Sequence, residues 1–398
     1  MWLEIVQCMN IDTEFLKTVL RRLIRCDTQS FNRDDFEIIR LLKEICEGIG
    51  MTVETIPTKN NPNKINFVAY WTKQPHKIIF SSHFDTVPVG DLKEWKYPPL
   101  EATEEIELKT GNIYVYGRGS ADMKSGLASQ LCVLKYLQDM QMKIRESILL
   151  IVSSEEEDGT LGAKDLVKQY PELFASVELI IVDEPTNLDI GISEKGELRL
   201  KIECHGISAH ASSPSLGLNA IEGMCSLIQW IKKDLPLSPD DTNQTTFNIG
   251  TIRGGNAPNV VADYCVTEID IRTSSYISVE DIMNNIKTII ASIESTTRFK
   301  FVLYEESKEL PVTTDINNKY VKLLTKCIYK EMPKSSIKRM AYATDAAAFA
   351  HTKNKPQVII FGPGNEAVIH KPNEYVIFQF VEIATKALVS FLSEMNDE

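Results

Sequence analysis

Four short apolar runs in this sequence end in acidic or histidine residues. Lys77–Ser82 leads into His83-Phe84-Asp85, and Ser147–Ser154 into Glu155-Glu156-Glu157-Asp158-Gly159. Glu178–Val182 leads into Asp183-Glu184-Pro185, and Gln357–Phe361 into Gly362-Pro363-Gly364, with His370 just beyond. Asp122, in Gly117-Arg118-Gly119-Ser120-Ala121-Asp122-Met123-Lys124, adds a carboxylate in a glycine-containing turn ahead of a helical pattern. Carboxylates that converge repel and raise one another's pKa unless a cation neutralises them. Two histidines with several carboxylates suit a borderline divalent ion such as zinc, cobalt or manganese better than calcium or magnesium. His83 and Asp85, two positions apart, can act together, the carboxylate accepting the ring N–H and fixing which nitrogen faces a metal. Glu156 and Glu157 are adjacent and so point differently. One can bind metal while the other stays free as a base beside a bound water.

Such clusters converge only if the runs that carry them are strands of one sheet, because open α/β sheets collect ligands at the carboxyl ends of their strands. The patterning predicts strands over Thr52–Ile56, Ile65–Tyr70, Lys77–Ser81, Ile113–Tyr116, Ser147–Ser153 and Glu178–Val182. Between and before them, helical spacing predicts helices over Lys124–Met140, Gly162–Gln169, Asp34–Ile49 and a first segment capped by Asp12 or Thr13. That alternation implies an α/β fold with a parallel or mixed sheet between helices. Near Lys195 the character changes. Strands Glu197–Cys204, Thr246–Ile252 and Tyr264–Arg272 alternate with helices Leu216–Lys232 and Val279–Ser295, a β-α-β-β-α-like run that can close as a small α+β domain. The α/β pattern resumes with a helix near Asn317–Tyr329, strand Gln357–Phe361 and a last helix from Val376 to Ser393. One catalytic domain, residues 1–194 and 306–398, is thus expected to be interrupted by an insert over residues 195–305.

The 398 residues, 43% hydrophobic and 25% charged, are those of a globular protein, and the length implies two domains, with three the alternative. A formal charge of −12 argues against a nucleic-acid backbone binder. No apolar run approaches the ~18 residues that span a membrane. The first residues, with Glu4 early and no basic start, do not read as a secretory signal. The eight cysteines are scattered with no Cys-x-x-Cys pair, as in the reducing cytoplasm. Gly117-x-Gly119 and Gly362-x-Gly364 lack the third glycine of a dinucleotide fingerprint, and there is no Gly-x-Ser-x-Gly elbow. His76, His205 and His351 read as structural, and Asp345 as the N-cap of a helix, with a substrate role the alternative.

His83-Phe84-Asp85-Thr86-Val87-Pro88, Gly117–Gly126, Glu155–Gly159, Asp183-Glu184-Pro185-Thr186 and Ile369-His370-Lys371-Pro372-Asn373-Glu374-Tyr375 resemble, in order, the motif set of the M20 metallopeptidase/deacylase family, closest to its acetylornithine deacetylase and succinyl-diaminopimelate desuccinylase branch. The resemblance implies a zinc-peptidase-like catalytic domain with a mixed sheet and an inserted ferredoxin-like domain for dimerisation or as a lid. It also implies two divalent ions per chain, zinc first, with cobalt or manganese as alternatives. Asp122 matches the bridging carboxylate, His83 and Glu184 the other ligands of one ion, and Glu157 and His370 those of the second. Glu156 matches the general base and Asp85 the carboxylate behind His83. The family's usual Asp-Glu-Glu is Glu155-Glu156-Glu157 here, and counting back from Gly159 and Gly162 selects Glu156 as the base. A cis peptide at Asp122–Met123 is a further family feature. Gly206-Ile207-Ser208-Ala209-His210-Ala211-Ser212 resembles the segment by which family dimers pair, the histidine matching His210 stabilising the oxyanion in the partner's site. Asn259 and Arg272 resemble substrate-carboxylate contacts, with Gly364 grouped as substrate-binding, although Arg272 could simply pair with Glu268 or Asp270. The implied activity is hydrolysis of the amide of an N-acyl amino acid through a metal-bridged water, in a homodimer that binds neither nucleic acid nor membrane. A dipeptidase or carboxypeptidase on the same core is the alternative, and a non-catalytic small-molecule binder the alternative of another class.

Overall fold

The computed structural model describes residues 10–30, 34–59, 61–73, 75–234, 244–274 and 277–396. They divide into two compact units. One comprises the chain up to Ser193, Thr313–Lys338 and the residues from Thr344 on; the other comprises Glu194–Val312 with Arg339–Ala343.

In the first unit the helix Thr13–Arg25 starts where Asp12 accepts the Phe15 N–H at 2.9 Å, and it buries Leu16, Val19, Leu20, Leu23 and Ile24 along one stripe. Strands β1 (Thr52–Pro57), β2 (Ile65–Tyr70), β3 (Ile78–His83), β4 (Thr103–Ile106), β5 (Ile113–Tyr116), β6 (Ile148–Ser153), β7 (Leu179–Val182) and β8 (Ile190–Glu194) follow in order. β3, β6 and β7 are buried along their whole length, which is why they read as continuous apolar runs.

The second unit holds β9 (Gly196–His205), β10 (Thr246–Gly254), β11 (Tyr264–Thr273) and β12 (Lys300–Glu309), with helices Ala220–Asp234 and Val279–Thr296. Its sheet order is β10-β11-β9-β12, antiparallel throughout, which with the two helices makes a β-α-β-β-α-β ferredoxin-like domain. Cys265, Thr267, Ile269 and Ile271 alternate inward along β11, and the three apolar ones join a core with Leu198, Leu200, Ile202, Met224, Leu227, Ile282 and Ile286. The boundary expected at 305 is corrected here, because it falls inside β12. That strand pairs with β9 from Lys300 opposite His205 to Glu309 opposite Glu197. The charges Lys300, Glu305, Glu306 and Lys308 lie on the sheet's last strand, where they are tolerated, and hide it from a hydrophobicity pattern.

The first unit then resumes with β13 (Val312–Thr313), β14 (Ile337–Arg339), β15 (Gln357–Ile360) and β16 (Tyr375–Ile377). Its main sheet runs β1-β2-β6-β3-β7-β15-β8-β13, with β14 beside β8. β3 is parallel to β6 and β7, and β15 to β7, while β1 and β2 run antiparallel. The carboxyl ends of β3, β6, β7 and β15 therefore share one edge. A small sheet β16-β5-β4 pairs Tyr375 with Tyr116, next to the turn that carries Asp122. The last helix thus begins at Phe378, not Val376, since Tyr375–Ile377 is used for this pairing. Among the described residues no helix is long and apolar enough to cross a membrane, and the seven cysteines are free.

Candidate metal centre

Two groups of potential ligands form at the shared sheet edge and meet at one carboxylate. His83, Asp122 and Glu184 make the first group, and Asp122, Glu157 and His370 the second, each with its donor atoms within 4.8 Å of one another. His83 ends β3 and is 1% exposed. Its Nε2 lies 3.4 Å from Asp122 Oδ1, 3.7 Å from Glu184 Oε1 and 3.9 Å from Glu156 Oε2. His370 Nε2 stands 3.1 Å from both Asp122 Oδ2 and Glu157 Oε1. Glu184 comes two residues after the apolar end of β7, with Asp183 between. Asp183 is wedged between Gly126 and Gly362, where an added Cβ would come within 2.7 Å of its carboxylate, so it cannot also face His83. Glu155 turns away as well, accepting the Thr58 hydroxyl at 3.1 Å.

The electrostatics follow from this crowding. Burial pushes the Glu156 and Glu184 carboxyls well above the carboxylate range, and repulsion adds to it, from Glu184 on Glu156 and from Asp122 on Glu184. Burial opposes charge on His83 too, but the Asp122 and Asp85 carboxylates beside its two nitrogens, with the nearby glutamates, outweigh it and raise its pKa well above normal. Hydrogen bonds to Asp122 and Glu157 push His370 up to about 10. The crowded carboxylates thus call for positive charge, which a bound cation would supply in place of the ring protons. Glu184 Oε1 is buried with no hydrogen-bond partner. An orphaned carboxylate oxygen, two imidazole nitrogens and two further carboxylates are the donor set of a pair of borderline divalent ions sharing Asp122. Glu156 belongs to neither ligand group, although its carboxylate lies beside the first.

The backing of the site differs in detail from expectation. His83 Nδ1 meets the main-chain carbonyl of Asp85 at 3.0 Å, while the Asp85 carboxylate is 3.6 Å away. That carboxylate instead accepts the Glu156 and Glu157 amides at 3.2 and 3.0 Å, so it secures the loop carrying both glutamates. Asp122–Met123 is a cis peptide. Asp345 makes no cap hydrogen bond. Its carboxylate accepts the hydroxyl of Ser153, at the end of β6, and Thr344 caps the helix through the Ala346 N–H at 3.1 Å. Burial pushes the Asp345 carboxyl up to about 7. Gly364 is packed so closely that a Cβ would lie 2.0 Å from the Ala121 carbonyl, which presses the loop after β15 onto the Asp122 turn. Sequence reasoning also left Arg118 and Glu374 without roles. They form a buried ion pair at 2.6 Å, and Glu374 accepts the Ala121 and Asp122 amides. The signal for them is two charges inside motifs that otherwise build the site.

The remaining expected residues belong to the second unit. His210 is exposed, and its Nδ1 accepts the Ser212 N–H at 3.1 Å, which leaves the ring proton on Nε2. Its segment pairs with that of Asn259, whose carbonyl accepts the Ala211 N–H at 3.0 Å. Arg272, on β11, holds Asp270 at 2.9 and 3.0 Å and Glu197 at 2.7 Å.

Residues 79–394 match peptidase family M20/M25/M40. A probable succinyl-diaminopimelate desuccinylase from Staphylococcus aureus is 27% identical over 92% of this chain and 96% of its own length. An acetylornithine deacetylase from Aliivibrio salmonicida is 25% identical over 89% and 90%. Among solved structures, a tripeptidase from Staphylococcus aureus superposes with a TM-score of 0.75 at 21% identity, covering 98% of this chain and 100% of that one. A dinuclear metal-binding M20 peptidase from Bacillus subtilis gives 0.70 at 12% identity, covering 97% and 98%. The match over most of the chain, on a fold shared with solved M20 peptidases, means that this chain belongs to peptidase family M20/M25/M40 and is a hydrolase of amide bonds.

Proposed function

We propose that this hydrolase cleaves the amide of an N-acyl amino acid, with two divalent ions held by His83, Asp122, Glu184, Glu157 and His370. The observation that carries the reading is the pair of ligand groups meeting at Asp122 with Glu156 beside them and in neither. Zinc is the first choice of ion on this donor set, with cobalt or manganese as alternatives. Ions bound there would lower the pKa of water and polarise the acyl carbonyl. Glu156, its pKa raised by burial, takes a proton from the attacking water and returns it to the departing amine. Asp85 keeps Glu156 and Glu157 in place through their amides. His210, with its proton on Nε2, donates to the oxyanion, and Arg272 and Asn259 hold the substrate carboxylate, the guanidinium exchanging its Asp270 and Glu197 partners for it. Gly364, grouped with the substrate contacts, lets the loop after β15 pack directly against the Ala121 carbonyl beside Asp122.

The test is a panel of acetylornithine, succinyl-diaminopimelate, other N-acyl amino acids and dipeptides, assayed with metal-loaded protein by amine release. Turnover of N-acyl amino acids that chelation abolishes is expected. Cleavage of dipeptides alone, or activity that survives exhaustive chelation, would overturn the reading. The protein also works as a cytoplasmic homodimer in this reading, each site completed by His210 of the other chain. Mixing inactive His210→Ala and Glu156→Ala dimers then restores roughly a quarter of wild-type activity, since about half the dimers are mixed and one of their two sites is whole. No recovery despite verified subunit exchange would exclude the shared site.

A further inference from the structure

Arg118 and Glu374 are 2% and 1% exposed, and they pair at 2.6 Å between the two segments that supply Asp122 and His370. Glu374 Oε2 takes the guanidinium, while Oε1 takes the Ala121 and Asp122 N–H groups at 2.8 and 3.1 Å. Arg118 reaches further, with Nη1 3.4 Å from the Lys371 carbonyl and Nη2 3.2 Å from the Pro88 carbonyl. Glu374 also accepts the Gly117 N–H on its own carbonyl at 3.0 Å. One ion pair thus links the residue after His370, the turn of Asp122 and the loop three residues beyond Asp85. A buried ion pair is a poor source of stability, since its desolvation cancels much of its attraction, so its place in the molecule calls for another explanation.

We propose that Glu374 is a positioning residue that sets the Asp122 turn before any ion binds, by accepting the Ala121 and Asp122 amides, with Arg118 holding the carboxylate in register with the His370 loop. The bridging carboxylate is the one ligand common to both groups, so an error in its placement weakens both ions together. Groups that orient metal ligands from behind are worth about 10- to 100-fold in affinity. The inference rests on the two-ion reading above.

The test compares two double variants that both remove the charge pair. R118M/E374Q keeps an oxygen able to accept the two amides, and R118M/E374L does not. Co2+ alone is the probe, with uptake read from its visible absorption and affinity from chelator competition. R118M/E374Q should bind both ions within about 3-fold of wild type, and R118M/E374L about 10- to 100-fold more weakly at both. Wild-type affinity in R118M/E374L, or equal losses in the two variants, would overturn the proposal. Amide exchange in metal-free wild-type protein decides the matter even if R118M/E374L fails to fold. The Ala121 and Asp122 amides should already be protected, and protection that arises only on adding Co2+ would exclude presetting. Wild-type protein that takes up no Co2+ would overturn the two-ion reading and this inference with it, whereas a failure confined to the variants touches the inference alone.

Discussion

In the first unit His83, Asp85, Asp122, Glu184 and Glu374 are each less than a tenth exposed, whereas the charged side chains of β9 and β11 in the second unit form ion pairs at its surface. There Arg272 is 31% exposed while it holds Glu197, and Arg199 is 54% exposed while it pairs with Glu197 and Asp270. Ion pairs that keep part of their surface in water contribute about 0–1 kcal/mol and cost less to build than buried ones. Taking a charge out of water costs several kcal/mol per ion unless another charge compensates. A sheet edge that gathers so many buried charges therefore works against the stability of its own unit, and cations that bind there relieve the conflict. The partly exposed pairs of the second unit carry a smaller penalty, which leaves Arg272 able to exchange one carboxylate partner for another.

This contrast can be broken most directly at Asp122, the carboxylate common to both ligand groups. Asp122→Ala should remove both ions and all turnover, read by metal analysis and amine release. A full equivalent of metal left in the variant would mean that the two groups are independent. Next in size is the base. Glu156→Gln should lower kcat at least ~10²-fold with both ions retained, while Glu155→Ala, whose side chain is tied to Thr58, should remain near wild type. If Glu155→Ala is instead the fully metallated, inactive variant, the roles within the triplet are shifted by one.

The third prediction isolates a buried charge away from the metal ligands. Burial pushes Asp35 up to about 6 from 3.8, against the pull of the Ile65 amide and Lys64. The folded chain then binds this proton more tightly than the unfolded one. Its contribution is present below pH ~4 and is lost as pH rises to ~6, by about 3 kcal/mol, with no further change above. Asp35→Asn, which keeps an acceptor for the Ile65 N–H, should remove that slope, as urea unfolding at pH 4.5 and pH 7 would reveal. An unchanged slope would place the titration elsewhere. The smallest effect on stability is expected at Arg272. Arg272→Ala should alter it by less than ~1 kcal/mol while raising KM more than it lowers kcat. A larger destabilisation would show that the surface pairs of the second unit are structural after all.

Much of this fold was legible because its strongest signals are local. Strands buried on both faces read as apolar runs, β11 reads as strict alternation, and Asp12 announces the helix it caps. The acidic and histidine endings of β3, β6 and β7 were visible for the same reason, since each sits within a few residues of its strand. β12 was missed because an open edge tolerates charges at positions that a buried strand would fill with apolar side chains. What local pattern could not supply is which distant groups meet. Glu374 lies 256 residues from Arg118 and Asp345 lies 192 from Ser153; the first was legible only as a charge inside a site motif, the second as a helix cap or a substrate contact. Asp85 was placed correctly beside His83 in sequence, yet its carboxylate is taken by the Glu156 and Glu157 amides some 70 residues on. By itself the sequence determined the strands, the ligand types and the order in which they come, because those depend on periodicity and residue chemistry. Tertiary structure alone decided which carboxylate oxygen faces which donor, because a buried polar atom takes the partner that the closed chain delivers to it.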